Sequence, residues 1–379
     1  MNIIAILPTY RSSSFKGKVG GGEISNRLLL EGLAEKGHKV IIYTLCTDIK
    51  NFLEYHHNLR VVTPKDKLTL RGPLNKIIKI LTFNRFIKNH LRNETPDIIL
   101  TATYGLNFAL SVGKSYNVPV GIFIRAMEHF RKNNSKNSLK NLIRYVLYGD
   151  ISENKLKKVD FIIPNSFYMN EVSIKRVGEK YSDIIYPPFT FHQLMKAKRS
   201  ELGFTIKEIY MVGNSYQKGV EILEFLASKF PSINFNVLGG KKLETDISTR
   251  KNNVSYYGWC DVTSVLAKNA DLLIVPSVCE EAFGRVAVEG LASGVPVLGS
   301  NIGGIPEALS FESILLVKAG CVKSWHRVLS NIIEDPKPYI EASSRARDEI
   351  YKYSADNQIY KLDRLLENVS NRESQYYYE

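Results

Sequence analysis

The chain has 379 residues, 44% of them hydrophobic and 23% charged, a composition that excludes a disordered, collagen-like or coiled-coil protein. No apolar run approaches the ~18 residues needed to span a bilayer, and at ~100–200 residues per domain the length points to two domains. The net charge of +13 is unevenly spread: residues 1–190 hold 29 Lys and Arg against 15 Asp and Glu, whereas residues 191–379 hold 22 against 23.

Asn2–Pro8 reads as a first strand rather than a signal peptide, because no basic segment precedes it and its apolar stretch stops at Pro8. A Gly-rich loop, Val19 to Glu23, leads into a helix with Ile24, Leu28, Leu29 and Leu33 on one face and Gly37 at its end. Val40–Leu45 is the next strand, and Asp97–Thr101, Val118–Ile124 and Val159–Pro164 are further buried strands. Tyr186-Pro187-Pro188 closes this series as a linker, since two prolines force an extended backbone. The rhythm then restarts with a strand at Glu208–Val212, a helix from about Gly219 to Lys229, and a strand at Phe235–Leu238 ending in Gly239-Gly240. Strands at Asn253–Tyr257, Leu272–Val275 and Val295–Leu298 follow. A last amphipathic helix runs from Tyr351 to Leu366, and the polar tail after Ser370 is expected to fray. Strands alternating with helices indicate an α/β protein of two doubly wound, Rossmann-like domains, 1–190 and 191–350. Residues 351–379 are expected to pack back on the N-terminal domain.

Cys46, Cys260, Cys279 and Cys321 lie far apart without CxxC spacing, so neither a zinc site nor a disulfide framework is indicated, and a reducing, cytoplasmic setting is expected. The basic first half suits an anionic partner such as phosphate or a membrane surface; a merely solvated basic surface is the plainer alternative. Its densest part lies between Pro64 and Arg92, where Lys65, Lys67, Arg71, Lys76, Lys79, Arg85, Lys88 and Arg92 interleave with apolar residues. Ile77, Ile78 and Leu81 share one helical face there, a pattern that suits either the headgroup region of an anionic membrane or packing on the N-terminal sheet. Arg131–Lys140 is a second basic segment. Nucleic acid is not expected, because no aromatic-basic recognition motif accompanies the charge.

The passage richest in chemistry runs from Pro276 to Glu307, at the carboxyl end of the strand Leu272–Val275, where open α/β sheets bind ligands. Phe283-Gly284-Arg285 can open a helix whose first amides would face an anion such as a diphosphate. Glu281 precedes that helix and Glu289 lies two turns into it. Carboxylates repel phosphate, so their partners should be hydroxyls of a sugar or ribose. Gly303-Gly304 opens a second helix start that ends in Pro306-Glu307.

This passage resembles the retaining GT-B glycosyltransferases of glycosyltransferase family 4, whose signature is E-x(7)-E, then G-x-P-V, then G-G-x-x-E. Glu281 to Glu289, Gly294 to Val297 and Gly303 to Glu307 match it in order. Gly20-Gly21-Gly22-Glu23 and Lys36 to Val40 look like the family's acceptor-side loop and second strand. Asp160 to Ser166 and Tyr186 to Phe189 look like its approach to the linker, and Val212-Gly213 with Lys218-Gly219 like its phosphate-binding stretch. The resemblance implies a GT-B fold, two Rossmann-like domains facing each other across a cleft. It also implies transfer of a sugar from a UDP- or GDP-sugar to a glycan, glycolipid or lipid-linked acceptor, with retention, in cell-surface polysaccharide or glycoconjugate synthesis. By position Lys218 would contact the donor diphosphate, Glu289 the ribose and Glu281 the donor sugar. Phe283, Gly284, Arg285, Gly213, Asn214, Gly21 and Gly22 would complete the donor contacts. The chain has no D-x-D triad, so neither a metal clamp on the diphosphate nor any other cofactor is required.

Two positions depart from the family. Asn214 stands where an Arg usually follows the Gly, leaving Arg285, or Lys16 and Lys18, to compensate. Arg125 stands where a His is often found, with His129 one turn on. Arginine is no base at neutral pH, so Arg125 would anchor an anionic acceptor or the departing phosphate. Cys279 reads as a small packed residue rather than a nucleophile. A nucleotide-sugar 2-epimerase and a non-catalytic nucleotide-sugar-binding partner are the alternatives; a Rossmann dehydrogenase lacks its G-x-G-x-x-G after the first strand.

Overall fold

The structure, a computed structural model, describes residues 1–15, 17, 19–49, 57–64, 73–127, 130, 151–191, 205–239, 247–258 and 260–376. Lys16, Lys18, His129, Gly240, the segments 65–72 and 131–140, and the tail beyond 376 lie outside the described residues. The chain divides into two compact units, Met1–Pro188 with Ala355–Glu379, and Phe189–Ser354.

In the first unit the chain order is β1 (Asn2–Tyr10), α1 (Gly21–Glu35), β2 (Lys39–Thr47), β3 (Leu59–Val62), α2 (Pro73–His90), β4 (Ile98–Ala102) and α3 (Leu106–Tyr116). Then come β5 (Val120–Ile124), α4 (Glu153–Leu156), β6 (Phe161–Pro164), α5 (Phe167–Val177) and β7 (Tyr181–Ser182). All seven strands pair in parallel, in the order β3-β2-β1-β4-β5-β6-β7. Ile3, Ile4, Ala5 and Ile6 are all buried, as expected of a parallel strand covered on both faces. β1 runs two residues past Pro8. Its pairing with β4 ends at Ile6 and its pairing with β2 resumes at Thr9, so the proline removes no ladder bond on the β4 side. Pro119 likewise delays β5 to Val120 and Pro296 delays a later strand to Val297; each proline still accepts through its carbonyl, from Ile99 and Leu273 respectively.

On α2 the buried stripe is Ile80, Phe83 and Ile87, continued by Leu91. Phe83 stands edge-on to Phe108 of α3 at 5.1 Å. Seating that ring turns Leu81 outward, where it is 64% exposed, and leaves Ile77 and Ile78 half-buried.

The second unit contains β8 (Glu208–Val212), α6 (Val220–Lys229), β9 (Asn234–Leu238), β10 (Ile247–Lys251), β11 (Val254–Tyr257), α7 (Val262–Asn269) and β12 (Leu272–Val275). It continues with α8 (Arg285–Ala292), β13 (Val297–Ser300), α9 (Ile305–Ala308), β14 (Leu316–Val317), α10 (Val322–Glu334) and α11 (Lys337–Asp348). The sheet order is β10-β11-β9-β8-β12-β13-β14, parallel except for the antiparallel edge strand β10. Each sheet therefore reverses its strand order once, between β1 and β4 and between β8 and β12. Open sheets bind ligands beyond the strand ends at that reversal.

The expected helix from Tyr351 to Leu366 is broken. Glu349–Tyr353 forms a 3-10 turn in the second unit, where the buried Tyr353 donates its hydroxyl to Glu307 O (2.9 Å) and its carbonyl accepts from Phe189 N (3.0 Å). Helix α12 (Ala355–Tyr376) then starts in the first unit, and the segment after Ser370, expected to fray, stays helical to Tyr376. Leu362, Leu365, Leu366 and Val369 of α12 share a core with Leu29, Leu30 and Leu33 of α1. Gly32 makes room for that contact, since a Cβ there would lie 2.1 Å from Ile359 Cδ1. Asp363 fixes the helix polarly, meeting His38 Nε2 at 2.7 Å and Lys36 Nζ at 3.1 Å.

Candidate active site

At the reversal of the second sheet, two loops leave the carboxyl ends of β8 and β12 and lock together. Gly219 has φ +85°, and a Cβ on it would lie 2.0 Å from Pro276 O, so only glycine allows the loops to meet there. Beside that contact Gln217 O accepts from Val278 N at 3.0 Å and from Cys279 Sγ at 3.6 Å. Cys279, expected to be packed, is half-buried at the loop junction.

The junction fixes three side chains. The stem of Lys218 lies along Gly213, where a Cβ would come within 3.0 Å of Lys218 Cγ. Its ammonium donates to Glu281 Oε1 at 2.5 Å, and the same oxygen accepts from Ser277 Oγ at 2.7 Å. The backbone of Glu281 is held as tightly. Gly304 N donates to Glu281 O at 2.8 Å, and a Cβ at Gly303, which has φ +58°, would lie 2.4 Å from that same oxygen. Gly303-Gly304 therefore clamps Glu281. The second helix expected there, α9, has four residues, too few to carry an anion site.

Helix α8 begins after Gly284, whose φ of +101° makes it a left-handed cap. One turn in, Glu289 Oε1 lies 3.6 Å from Arg285 Nε, and the Arg285 guanidinium sits 4.3 Å over the ring of Phe189. Burial holds the Arg285 guanidinium below its ordinary value, with Glu289 pulling the other way, and the group stays charged at neutral pH. Arg285, expected to stand in for the cation absent at Asn214, is thus engaged with Phe189 and Glu289. Asn214 itself is exposed on the β8 loop. The Phe283 ring is buried edge-on against Tyr353 at 5.0 Å, so a ligand can meet only the backbone of that residue.

The first unit holds the remaining candidates. Gly21 and Gly22 open α1, with Gly20 N donating to Glu23 Oε2 at 3.1 Å and Thr9 Oγ1 donating to the other carboxylate oxygen of Glu23. Arg125 follows β5 and lies beside Gly22, whose Cβ would sit 3.4 Å from that of Arg125. Its Nε donates to Asn26 Oδ1 (3.2 Å), its Nη1 to Ile185 O (2.9 Å), and its guanidinium stacks 5.0 Å over Phe123. Thr103, directly after β4 at the reversal of this sheet, has φ +41°, a conformation that costs a threonine of order 1–3 kcal/mol.

The candidates thus fall into two groups. Lys218, Gly213, Asn214, Glu281, Phe283, Gly284, Arg285 and Glu289 belong to the second unit, and Gly21, Gly22 and Arg125 to the first. Sequence reasoning missed Ser277, Asn26 and the clamping role of Gly303. Ser277 left one signal, a hydroxyl in a Pro-Ser step four residues before Glu281. Among the described residues no three His, Cys, Asp or Glu gather as a metal-ligand group.

Residues 19–189 match the family model Glycosyltransferase Family 4, and residues 201–357 match Glycosyl transferases group 1. A 42.6 kDa protein of the cps region of Klebsiella pneumoniae is 28% identical over 341 residues, spanning 81% of this chain and 87% of its own length. Among solved structures, sucrose-phosphate synthase from Thermosynechococcus elongatus is similar with a TM-score of 0.74 at 18% identity, covering 97% of this chain and 99% of that one. Anabaena HepE in complex with UDP-glucose is similar with a TM-score of 0.70 at 17% identity, again covering 97% and 99%. At such identities the likeness speaks for the fold, while the two family models follow one another along the chain in the order of its two sheets. The chain thus carries a Glycosyltransferase Family 4 segment followed by a Glycosyl transferases group 1 segment, on a GT-B glycosyltransferase fold.

Proposed function

We propose that the chain moves a sugar from a nucleotide-sugar to a glycan, glycolipid or lipid-linked acceptor, with retained anomeric configuration, in the synthesis of a cell-surface polysaccharide or glycoconjugate. One observation carries the reading: Lys218 and Glu281 meet on one carboxylate oxygen at the ends of β8 and β12, the reversal point where such a sheet binds its ligand. A cation beside a carboxylate suits a ligand that is anionic at one end and rich in hydroxyls at the other. The crystal of HepE with UDP-glucose supports a UDP-sugar over a GDP-sugar.

In the transfer, the bond from the anomeric carbon to the diphosphate breaks as a bond from the acceptor oxygen forms on the same face. The acceptor hydroxyl's proton passes to the departing diphosphate. Lys218 and the first amides of α8 stabilise the charge gathering on that leaving group, Glu281 accepts from sugar hydroxyls and Glu289 from the ribose. The Lys218 ammonium has three donors but a single charge, and the doubly charged diphosphate is proposed to draw it from Glu281 when the donor binds. Arg125 and the α1 amides at Gly21 and Gly22, all of the first unit, are assigned to anionic oxygens of the acceptor. The test is nucleoside diphosphate release from a panel of UDP- and GDP-sugars, with and without acceptor. Acceptor-dependent release from one donor supports transfer, and binding without release indicates a non-catalytic partner. NMR of the new linkage reads retention, and an inverted anomeric centre contradicts it.

The acceptor side is also proposed to touch an anionic membrane surface, at the inner face of the cell membrane, without crossing it. No described helix is long and apolar enough to span a bilayer. The outward face of α2 supports the reading: Leu81 stands 64% exposed, with exposed Arg85 one turn on. Each Lys or Arg near an anionic leaflet contributes about 1 kcal/mol.

A further inference from the structure

Glu281 is loaded on one side only. Its Oε1 takes both hydrogen bonds, from Lys218 and from Ser277, while among the described residues its Oε2 makes none. The two donors differ in freedom. Ser277 is fully buried, four residues before Glu281 in the same loop, and among the described residues Glu281 Oε1 is the partner of its hydroxyl. The Lys218 side chain is 39% exposed, and its flexible stem can swing. A diphosphate arriving beside Lys218 competes for the ammonium with two charges against one. Without a second donor, Glu281 would then lose its only side-chain anchor and turn into solvent.

We infer that Ser277 is a positioning residue that keeps the Glu281 carboxylate aimed at the donor's sugar after Lys218 has turned to the diphosphate. The inference rests on the donor-site reading above and adds to it a division of labour. Lys218 recognises the diphosphate, whereas Ser277, acting through Glu281 Oε1, serves the glycosyl group, which meets Oε2. The backbone clamp at Gly304 sets where Glu281 begins and Ser277 sets where its carboxylate ends.

The consequence is a loss confined to the sugar. Affinities for UDP alone and for UDP-glucose, UDP-galactose and UDP-N-acetylglucosamine are measured by calorimetry on wild type, Ser277→Ala, Glu281→Ala and the double variant. The quantity read is the ratio of the UDP affinity to that of the best UDP-sugar. Ser277→Ala is expected to leave the UDP affinity within about twofold and to lower the sugar increment about tenfold, the loss of one hydrogen bond to a charged group. In the Glu281→Ala background, where no side-chain acceptor is left for Ser277, the same substitution should change the increment no further, because both act through one carboxylate. Equal loss of UDP and UDP-sugar binding in Ser277→Ala would mean a merely structural hydroxyl and overturn the inference. So would additive losses in the double variant, or a wild type that binds all three UDP-sugars no differently from UDP. Failure of wild type to bind UDP at all would instead remove the donor-site reading on which the inference stands.

Discussion

With the antiparallel edge strand β10 set aside, the two sheets share one strand order, 3-2-1-4 and onward, and yet their reversal points are furnished differently. In the second unit, a lysine and a serine from two loops converge on one carboxylate oxygen, and glycines without room for a Cβ lock the backbone beneath them. In the first unit, the loop after β1 ends in a glycine-rich helix start, and its arginine is held by an amide oxygen, a backbone carbonyl and an aromatic ring. Topology gave both units a place to bind, and the loops decide what each place recognises. On the proposed reading the second takes a small ligand with an anion and hydroxyls at fixed spacing. The first holds its arginine beside the glycine-rich helix start, within a half of the chain that carries 29 basic against 15 acidic residues, and is proposed to take a larger and more variable acceptor.

The comparison can be broken from the donor side first. Lys218→Ala should lower turnover about a hundredfold to a thousandfold, as loss of a group that stabilises developing charge does, with a smaller loss of donor affinity. Steady-state release of nucleoside diphosphate reads both, and turnover at the wild-type level would assign the leaving group to another cation. Glu289→Ala should weaken donor binding about tenfold to a hundredfold through the lost ribose contacts. Since it also leaves Arg285 without the carboxylate 3.6 Å away, Glu289→Gln is the gentler companion, and unchanged affinity in both variants would free Glu289 of the ribose.

Gly303→Ala tests the clamp. A side chain at φ +58° with a carbonyl 2.4 Å from its Cβ should cost about 1–3 kcal/mol of stability, read as a lower Tm, and should depress turnover further than the Tm shift explains. A variant as stable and active as wild type would show that the Glu281 backbone is not held there. The smallest effect is expected from the first unit. Leu81→Asp should reduce flotation with anionic liposomes at low salt while leaving donor release untouched, and high salt should reduce wild-type flotation in the same direction. Equal absence of wild type from anionic and neutral vesicles would leave a basic acceptor surface with no membrane role.

Much of this was legible in the sequence, for identifiable reasons. The strands were readable because parallel strands covered on both faces are short continuous apolar runs, as Ile98–Ala102 and Leu272–Val275 show. Their ends were not, because a proline shifts a strand by whichever neighbour it faces, a tertiary fact at Pro8, Pro119 and Pro296 alike. The break at Ser354 was hidden for the same reason: Tyr353 is pinned by Glu307 and Phe189, both remote in sequence. The motif showed which residues lie in the second unit's loops, since E-x(7)-E with its glycines fixes local geometry. It did not show that Phe283 turns its ring into the core, that Arg285 is taken up by Phe189, or that Ser277 shares an oxygen with Lys218. Those depend on which partners the fold brings alongside, and spacing along the chain carries no record of them.

The central claim is that the nucleotide belongs to the second unit's reversal point, and amide hydrogen exchange with and without saturating UDP tests it most directly. Protection on UDP binding is expected in the segments 213–219 and 276–289, and none in β5 from Val120 to Ile124. Protection of β5 with 213–219 and 276–289 exchanging as in the free protein would contradict it.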